Sequence, residues 1–314
     1  MKRAIAAALA AILAACSSPQ ANPTGPSPNL PQLKTARSAN LVYVSSQSTG
    51  EGEVNIYSSK GQAQAPIGVI TDGISEPQAL AVDAGGNLYV ANSGNSTVTV
   101  YAPDSMTPSI TYTSGVNTPF GVAVGTDGTV YVANAAGGPS GGGSVTEFPK
   151  GSTTPSTTLE TSGESAFAVA LDAQNHLYVS WFGFSTYQVA VYEYPTEGSG
   201  TGENLNLDLP SNSFPAYVLA FDPAGNLIVP CEPLTHNPPK YLAVFAPGAT
   251  HPKRKINLAG MLDIVTGIVF VPGRKKLFYA SAENDHDWLT LTFPKLIPRD
   301  VVNVGVPTGL AVAP

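Results

Sequence analysis

The chain is 314 residues long, with 43% hydrophobic and only 12% charged residues, 31 Gly, 28 Pro and a formal net charge of −7. The charged share is about half that of an ordinary soluble domain, so Ser, Thr, Asn, Gly and Pro must build much of the surface. This composition excludes a coiled coil, a helical bundle, a disulfide mini-domain and a disordered tail, and the acidic balance argues against a nucleic-acid partner.

Lys2 and Arg3 precede an uninterrupted apolar run from Ala4 to Ala15. The run is too short for a spanning helix, which needs about 20 residues, and suits the core of a secretory signal peptide. It ends in Leu13-Ala14-Ala15-Cys16. This resembles the bacterial lipobox: a branched apolar residue and two small residues before the Cys that is lipidated and becomes the mature N-terminus. The resemblance implies a signal peptide over residues 1–15 and a membrane anchor on Cys16. An ordinary signal peptide cut near the same site is the alternative. In a Gram-negative envelope, Ser17 would lack the Asp tied to inner-membrane retention, and the resemblance would then point to the outer membrane or cell surface. Processing removes Lys2 and Arg3 and makes the chain two charges more acidic than −7.

Residues 16–38 carry Pro at 19, 23, 26, 28 and 31 and few apolar side chains. They read as a semi-extended, solvated tether. With Cys16 lipidated, only Cys231 remains, so no internal disulfide is available. Residues 39–314 must be held by their core, and a chain of this size can bury one.

One pattern recurs through that domain. Its clearest copy runs Pro77-Gln78-Ala79-Leu80-Ala81-Val82-Asp83-Ala84-Gly85-Gly86-Asn87-Leu88-Tyr89-Val90-Ala91-Asn92. Relatives start near Pro119, Phe167, Tyr217 and Gly267, and half-copies lie at Val42–Val44 and Pro307–Val312. Equivalent positions at Val42, Leu88, Val130, Leu177, Leu227 and Leu277 recur every 42–50 residues, the period of a repeat architecture. In each unit two β-rich runs flank a turn. A third run ends at an aromatic near Pro, as in Tyr101-Ala102-Pro103 and Phe148-Pro149, and a variable fourth follows. Four antiparallel strands repeated six times predict a six-bladed β-propeller. The C-terminal strand completes the N-terminal blade and removes the open edge. A β-sandwich or β-solenoid would not need complementary half-repeats at its ends.

The Pro-x-Gly/Ala-φ-Ala-Val-Asp-x-x-Gly-Asn-Leu-Tyr-Val-Ala-Asn pattern resembles the NHL repeat, most clearly over residues 74–149. NHL-like propellers belong with a wider six-bladed group that includes gluconolactonase-like enzymes. Streptogramin lyases carry related repeats in a seven-bladed ring. The resemblance is specific for fold, while the fold hosts ligand binding, protein binding, lactone hydrolysis and lyase chemistry.

The resemblance also implies one face shared by the starts of the inner strands and the ends of the second strands. The starts are Thr308, Gln78, Phe120, Phe167, Tyr217 and Gly267. The ends are Ser46, Asn92, Asn134, Trp181, Cys231 and Ser281. Phe120, Phe167, Tyr217 and Trp181, with the amides of Asn92 and Asn134, form the candidate ligand site. Aromatic faces with a few amides suit a glycan, a peptide or a protein. The alternative is that these rings plug the channel or pack between blades.

No resident cofactor is expected. A lactonase-like or lyase-like reading would need Ca²⁺ or Mg²⁺, with Asn92, Asn134, Asp263, Glu283 and His286 as candidate ligands. Cys231 reads as a buried thiol rather than a nucleophile. Gly137–Gly143 lacks the Lys-Ser/Thr of a phosphate loop and reads as a flexible connection. The basic runs at Lys253–Lys255 and Arg274–Lys276 read as solvated turns or a small patch. The combined expectation is a monomeric, lipid-anchored, non-catalytic binding propeller. A metal-dependent hydrolase or lyase and a pocketless scaffold are the alternatives.

Overall fold

The computed structural model describes residues 41–47, 51–58, 65–161, 163–195, 201–234, 239–258, 265–270, 276–281, 287–292, 297–303 and 307–313. Residues 1–38, expected to hold a signal peptide, Cys16 and a tether, lie outside them, as do Asp263, Glu283 and His286.

The described strands form six four-stranded antiparallel sheets. From the inside outward, blade 1 comprises Pro307–Val312, Leu41–Ser46, Glu53–Ser58 and Gly68–Ile70. Blade 2 comprises Pro77–Val82, Leu88–Asn92, Thr97–Tyr101 and Ile110–Tyr112. Blade 3 comprises Pro119–Val124, Val130–Asn134, Ser144–Phe148 and Thr157–Leu159. Blade 4 comprises Ser165–Leu171, Leu177–Gly183, Gln188–Tyr194 and Glu203–Asn204. Blade 5 comprises Ala220–Phe221, Leu227–Cys231, Tyr241–Phe245 and Arg254–Asn257. Blade 6 comprises Val265–Phe270, Lys276–Ser281, Asp287–Thr292 and Ile297–Asn303. The six inner strands neighbour one another in a closed cycle. The molecule is an all-β propeller.

The two ends of the fold meet in blade 1. Val42, Val44 and Ser45 pair with Val312, Leu310 and Gly309, and the Ala313 N–H donates to the Leu41 carbonyl at 3.0 Å. Ring closure thus rests on one strand pairing between residues far apart in sequence.

The core lies between blades. Leu88 and Val90 pack towards blade 1 with Tyr43 and Ile56, whereas Tyr89 and Ala91 pack towards blade 3 with Val122 and Val132. A sheet covered on both faces needs apolar residues at successive positions rather than in alternation. Every residue of Leu88–Asn92 and Val130–Asn134 is buried.

On one face, the turns between inner and second strands explain the Asp of the repeat. Asp83 Oδ1 accepts the Asn87 N–H at 2.8 Å, and Asp222 Oδ1 accepts the Asn226 N–H at 2.9 Å. Asp172 accepts the His176 N–H in the same way, and His176 Nδ1 lies 3.1 Å from Asp172 and 3.3 Å from Glu193. Gly86 and Gly225 occupy the left-handed backbone region just before the clasped residue. In blade 4 Asn175 takes that position at φ 65°, the conformation Asn tolerates best among residues with a side chain.

Candidate functional site

The opposite face, where inner strands begin and second strands end, is the mouth. A recurrent irregularity builds it. Pro119 pairs with Asn134 and Gly121 with Ala133, so Phe120 has no ladder partner. The same break leaves Thr308 between Pro307 and Gly309, Phe167 between Ala166 and Ala168, and Thr266 between Val265 and Gly267. In blade 2 the break spans Gln78 and Ala79. A β-bulge adds one residue to a strand and re-aims its side chain. Here it recurs at one position in blades 1, 2, 3, 4 and 6 and sets residues around the mouth, while in blade 5 the inner ladder begins only at Ala220. The sequence register placed Gly267 in this ring. Gly267 pairs with Ala280 as Gly121 pairs with Ala133, so Thr266 is the counterpart of Phe120.

The ring has two halves. On blades 3, 4 and 5, Phe120, Phe167 and Tyr217 meet. Phe167 lies 5.0 Å from Phe120 and 5.4 Å from Tyr217 between ring centroids, and Phe120 lies 6.2 Å from Tyr217. On blades 6, 1 and 2 the corresponding residues are polar. Thr266 Oγ1 donates to the Pro307 carbonyl at 3.0 Å. The Thr308 hydroxyl lies against the Pro77 carbonyl and the Ser45 hydroxyl. Gln78 Nε2 donates to Ser93 Oγ at 3.0 Å. One register position therefore joins neighbouring blades by ring contacts on one side and largely by hydroxyl-to-carbonyl bonds on the other.

Two further rings extend the aromatic half. Leu177–Gly183 and Gln188–Tyr194 each have seven residues, where the matching strands of blades 2 and 3 have five. Two extra residues lengthen the hairpin by about 7 Å. They bring Phe182 and Phe184 to within 6.1 Å of Phe167 and 5.0 Å of each other. Phe167 is 1% exposed and Phe182 equally buried, whereas Phe184 is 39% exposed. Phe120 and Tyr217 are half-buried. The sequence reading missed Phe182 and Phe184 because they lie beyond the repeat register. The Trp181-Phe182-Gly183-Phe184 run was the available signal.

Three of the expected ligand residues do other work. Trp181 is 0% exposed and packs with Tyr131, Val145, Val179 and Tyr194 in the core between blades 3 and 4. It occupies the register position of Asn92 and Asn134 but points between blades, not into the mouth. Asn92 and Asn134 are also 0% exposed. Asn134 Oδ1 accepts the Asn117 N–H at 2.9 Å, while Nδ2 donates to the Gly115 carbonyl and Thr146 Oγ1 at 3.1 and 3.0 Å. Asn92 accepts the Ser75 N–H at 3.1 Å and donates to Thr99 Oγ1 at 3.0 Å. Each amide clasps the loop returning to its own inner strand, so its polar atoms are occupied by the fold. Both amides hold the fold of their own blades.

The glycine-rich segment is also built in. The Gly143 N–H donates to the Glu164 carbonyl at 2.7 Å, and a Cβ on Gly142 or Gly143 would stand 2.3 Å or less from a backbone oxygen. These glycines let blade 3 approach blade 4 beside the mouth. Burial pushes the Cys231 thiol up to about 12, which removes the thiolate needed for nucleophilic chemistry. Glu232, 1% exposed, accepts the Val265 N–H at 2.8 Å and lies 4.0 Å from Lys240, linking blade 5 to the start of blade 6. Among the described residues no group of three or more His, Cys, Asp or Glu side chains could hold a metal ion.

The four-stranded blades, their Asp-clasped turns and the mouth-end Asn are the setting of the sequence pattern in residues 75–101, which matches the NHL repeat. The chain is a β-propeller that carries an NHL repeat at residues 75–101. No curated protein matches it. The propeller is similar to a crystal structure of a protein of unknown function from Bacteroides caccae at 13% identity, over 87% of this chain and 98% of that one, with a TM-score of 0.62. It is similar to the crystal structure of a nidogen/laminin complex at 13% identity, over 88% and 98% of the chains, with a TM-score of 0.65. Kuenenia stuttgartiensis hydrazine synthase matches over 69% of this chain and 63% of its own, with 13% identity and a TM-score of 0.52. At this identity the likeness concerns the fold.

Proposed function

We propose that this propeller is a non-catalytic binding protein of the cell envelope, anchored through Cys16, that engages a protein partner at the aromatic half of its mouth. The observation that carries the reading is the ring cluster itself: Phe184 stands exposed on a buried base of Phe167 and Phe182, with Phe120 and Tyr217 half-buried beside it. Buried aromatic anchors on a rigid frame are the usual energetic centre of a protein interface. A closed ring of blades presents them at little ordering cost. The likeness to a propeller from a nidogen/laminin complex supports a protein as the partner class.

The path of the chain fits an anchor. Leu41 pairs with Ser58 at the end of blade 1 remote from the mouth, whereas Ser46 pairs with Glu53 at the mouth. A tether preceding Leu41 would join the far face and leave the mouth turned away from the membrane.

Two measurements test the reading. Cys16→Ala should release the protein from washed membranes, and continued pelleting would overturn the anchor. A photo-crosslinking residue in place of Phe184 should capture a partner in the native host, whereas the same group in place of Gln174 on the far face should not. Equal capture at both positions, or capture at 184 that survives Phe120→Ala, would overturn the mouth as the site.

A further inference from the structure

The charge around the mouth indicates what the rings receive. Glu51, Glu76, Glu160, Glu164 and Glu232 all lie in mouth-side loops, and Lys240 is the lone cation of those loops among the described residues. Lys240 itself faces the buried Glu232 carboxylate. Glu164 belongs to the loop that leads into the inner strand carrying Phe167. It lies three residues before Phe167, and its Oε1 would be 3.9 Å from a Cβ placed on Gly183, the residue between Phe182 and Phe184. Its other oxygen accepts the Thr161 hydroxyl proton at 2.9 Å, which holds the carboxylate in place. The whole chain is acidic, at −7.

An aromatic face carries negative quadrupole charge and attracts a cation lying over it. A surrounding acidic rim strengthens that preference and steers cationic partners towards the mouth. Rings without acids would suit a neutral glycan or an apolar segment equally well. Acids without rings would suit any basic surface.

We propose that the mouth receives a cationic side chain, an arginine or a lysine, from a basic segment of the partner protein, and stacks it on Phe184 and Tyr217 beside Glu164. This inference rests on the mouth-binding reading above and gives it a ligand chemistry. The planar guanidinium fits better than an ammonium, because it stacks on a ring and pairs with a carboxylate at once.

The test is a titration of the purified full-length protein with three labelled octapeptides, Arg-Gly, Lys-Gly and Leu-Ser repeats, followed by anisotropy. The Arg peptide should bind more tightly than the Lys peptide, and the Leu-Ser peptide should not bind. Binding should weaken several-fold between about 50 and 500 mM salt. Phe184→Ala should weaken it about tenfold, and Glu164→Gln several-fold, with both variants still fully folded at the temperature of the titration. Arg-peptide binding indifferent to Phe184→Ala would overturn the proposal, as diffuse attraction to an acidic protein. Failure of the Arg peptide to bind would overturn it too. Leu-Ser binding that Phe184→Ala abolishes would overturn the cationic ligand while leaving the mouth as the binding site.

Discussion

Phe120 and Tyr217 belong to blades 3 and 5, yet their ring centroids lie 6.2 Å apart. Blade 4 separates them around the ring, so they meet by reaching across it towards the axis. Phe167, from the blade between, contacts both and is buried beneath Phe184. The aromatic residues therefore both close this side of the mouth and build its surface. A partner at the proposed site would rest on top of these rings.

This division of labour predicts different behaviour for two phenylalanines. Phe167→Ala removes a fully buried ring and should cost about 3–5 kcal/mol of stability in guanidinium unfolding. Phe184→Ala loses ring contacts at a partly exposed site and should cost about 1 kcal/mol. Equal losses would contradict the assignment of one ring to the frame and the other to the surface.

Asn134→Ala should destabilise the propeller by about 1–3 kcal/mol, because the Asn117 N–H, the Gly115 carbonyl and the Thr146 hydroxyl each lose a buried partner. Peptide binding measured below the melting temperature should not change. A weakened affinity with unchanged stability would restore Asn134 to the ligand site.

Gly309 lies where blade 1 meets blade 2, and a Cβ there would stand 2.2 Å from the Gln78 carbonyl oxygen. Gly309→Ala must push the closing strand away from blade 2. A loss of at least about 1–3 kcal/mol, the usual cost of overpacking, is expected. Gly151→Ala is a contrasting control: its Cβ meets nothing within 4 Å, and its cost comes from its backbone at φ 75°. A melt unchanged by Gly309→Ala would show that the blades have slack at this junction.

Cys231 should resist thiol reagents in the native protein at pH 8 and react on unfolding. Its titration also has a thermodynamic consequence. The unfolded thiol loses its proton near about 8.5, while burial holds the native thiol to about 12. Across that window the native chain keeps a proton that the unfolded chain has released. The contribution is complete below the unfolded value and is lost as pH rises towards the native one. Unfolding measured between pH 8 and 10 should show a steeper decline for the wild type than for Cys231→Ala. Parallel declines would contradict the assigned burial effect.

Much of the fold was legible because a propeller repeats its local chemistry. The Asp-x-x-Gly-Asn turn reports a carboxylate clasp, and the continuous apolar second strands report burial on both faces. The half-copies at Val42–Val44 and Pro307–Val312 report the closing pairing. The three ring residues were legible for the same reason, since Phe120, Phe167 and Tyr217 share one position in the repeat. The bulge was not legible. It adds one unpaired residue without changing composition; Gly267 aligns with Gly121, one place after the ring position that Thr266 holds. Residues at one register position also differ in what they meet: Asn134 finds backbone donors and acceptors within its own blade, whereas Trp181 finds the apolar gap between blades 3 and 4. Phe184 escaped notice because the longer hairpin of blade 4 belongs to no other repeat.

Hydrogen–deuterium exchange of the full-length protein with and without saturating Arg-Gly octapeptide tests the central claim most directly. The account predicts added protection in the mouth segments around Phe120, Glu164–Phe167, Phe182–Tyr187 and Tyr217, with the Asp83–Asn87 and Asp172–His176 turns unchanged. Protection centred on those far-face turns, or spread evenly over both faces, would contradict it.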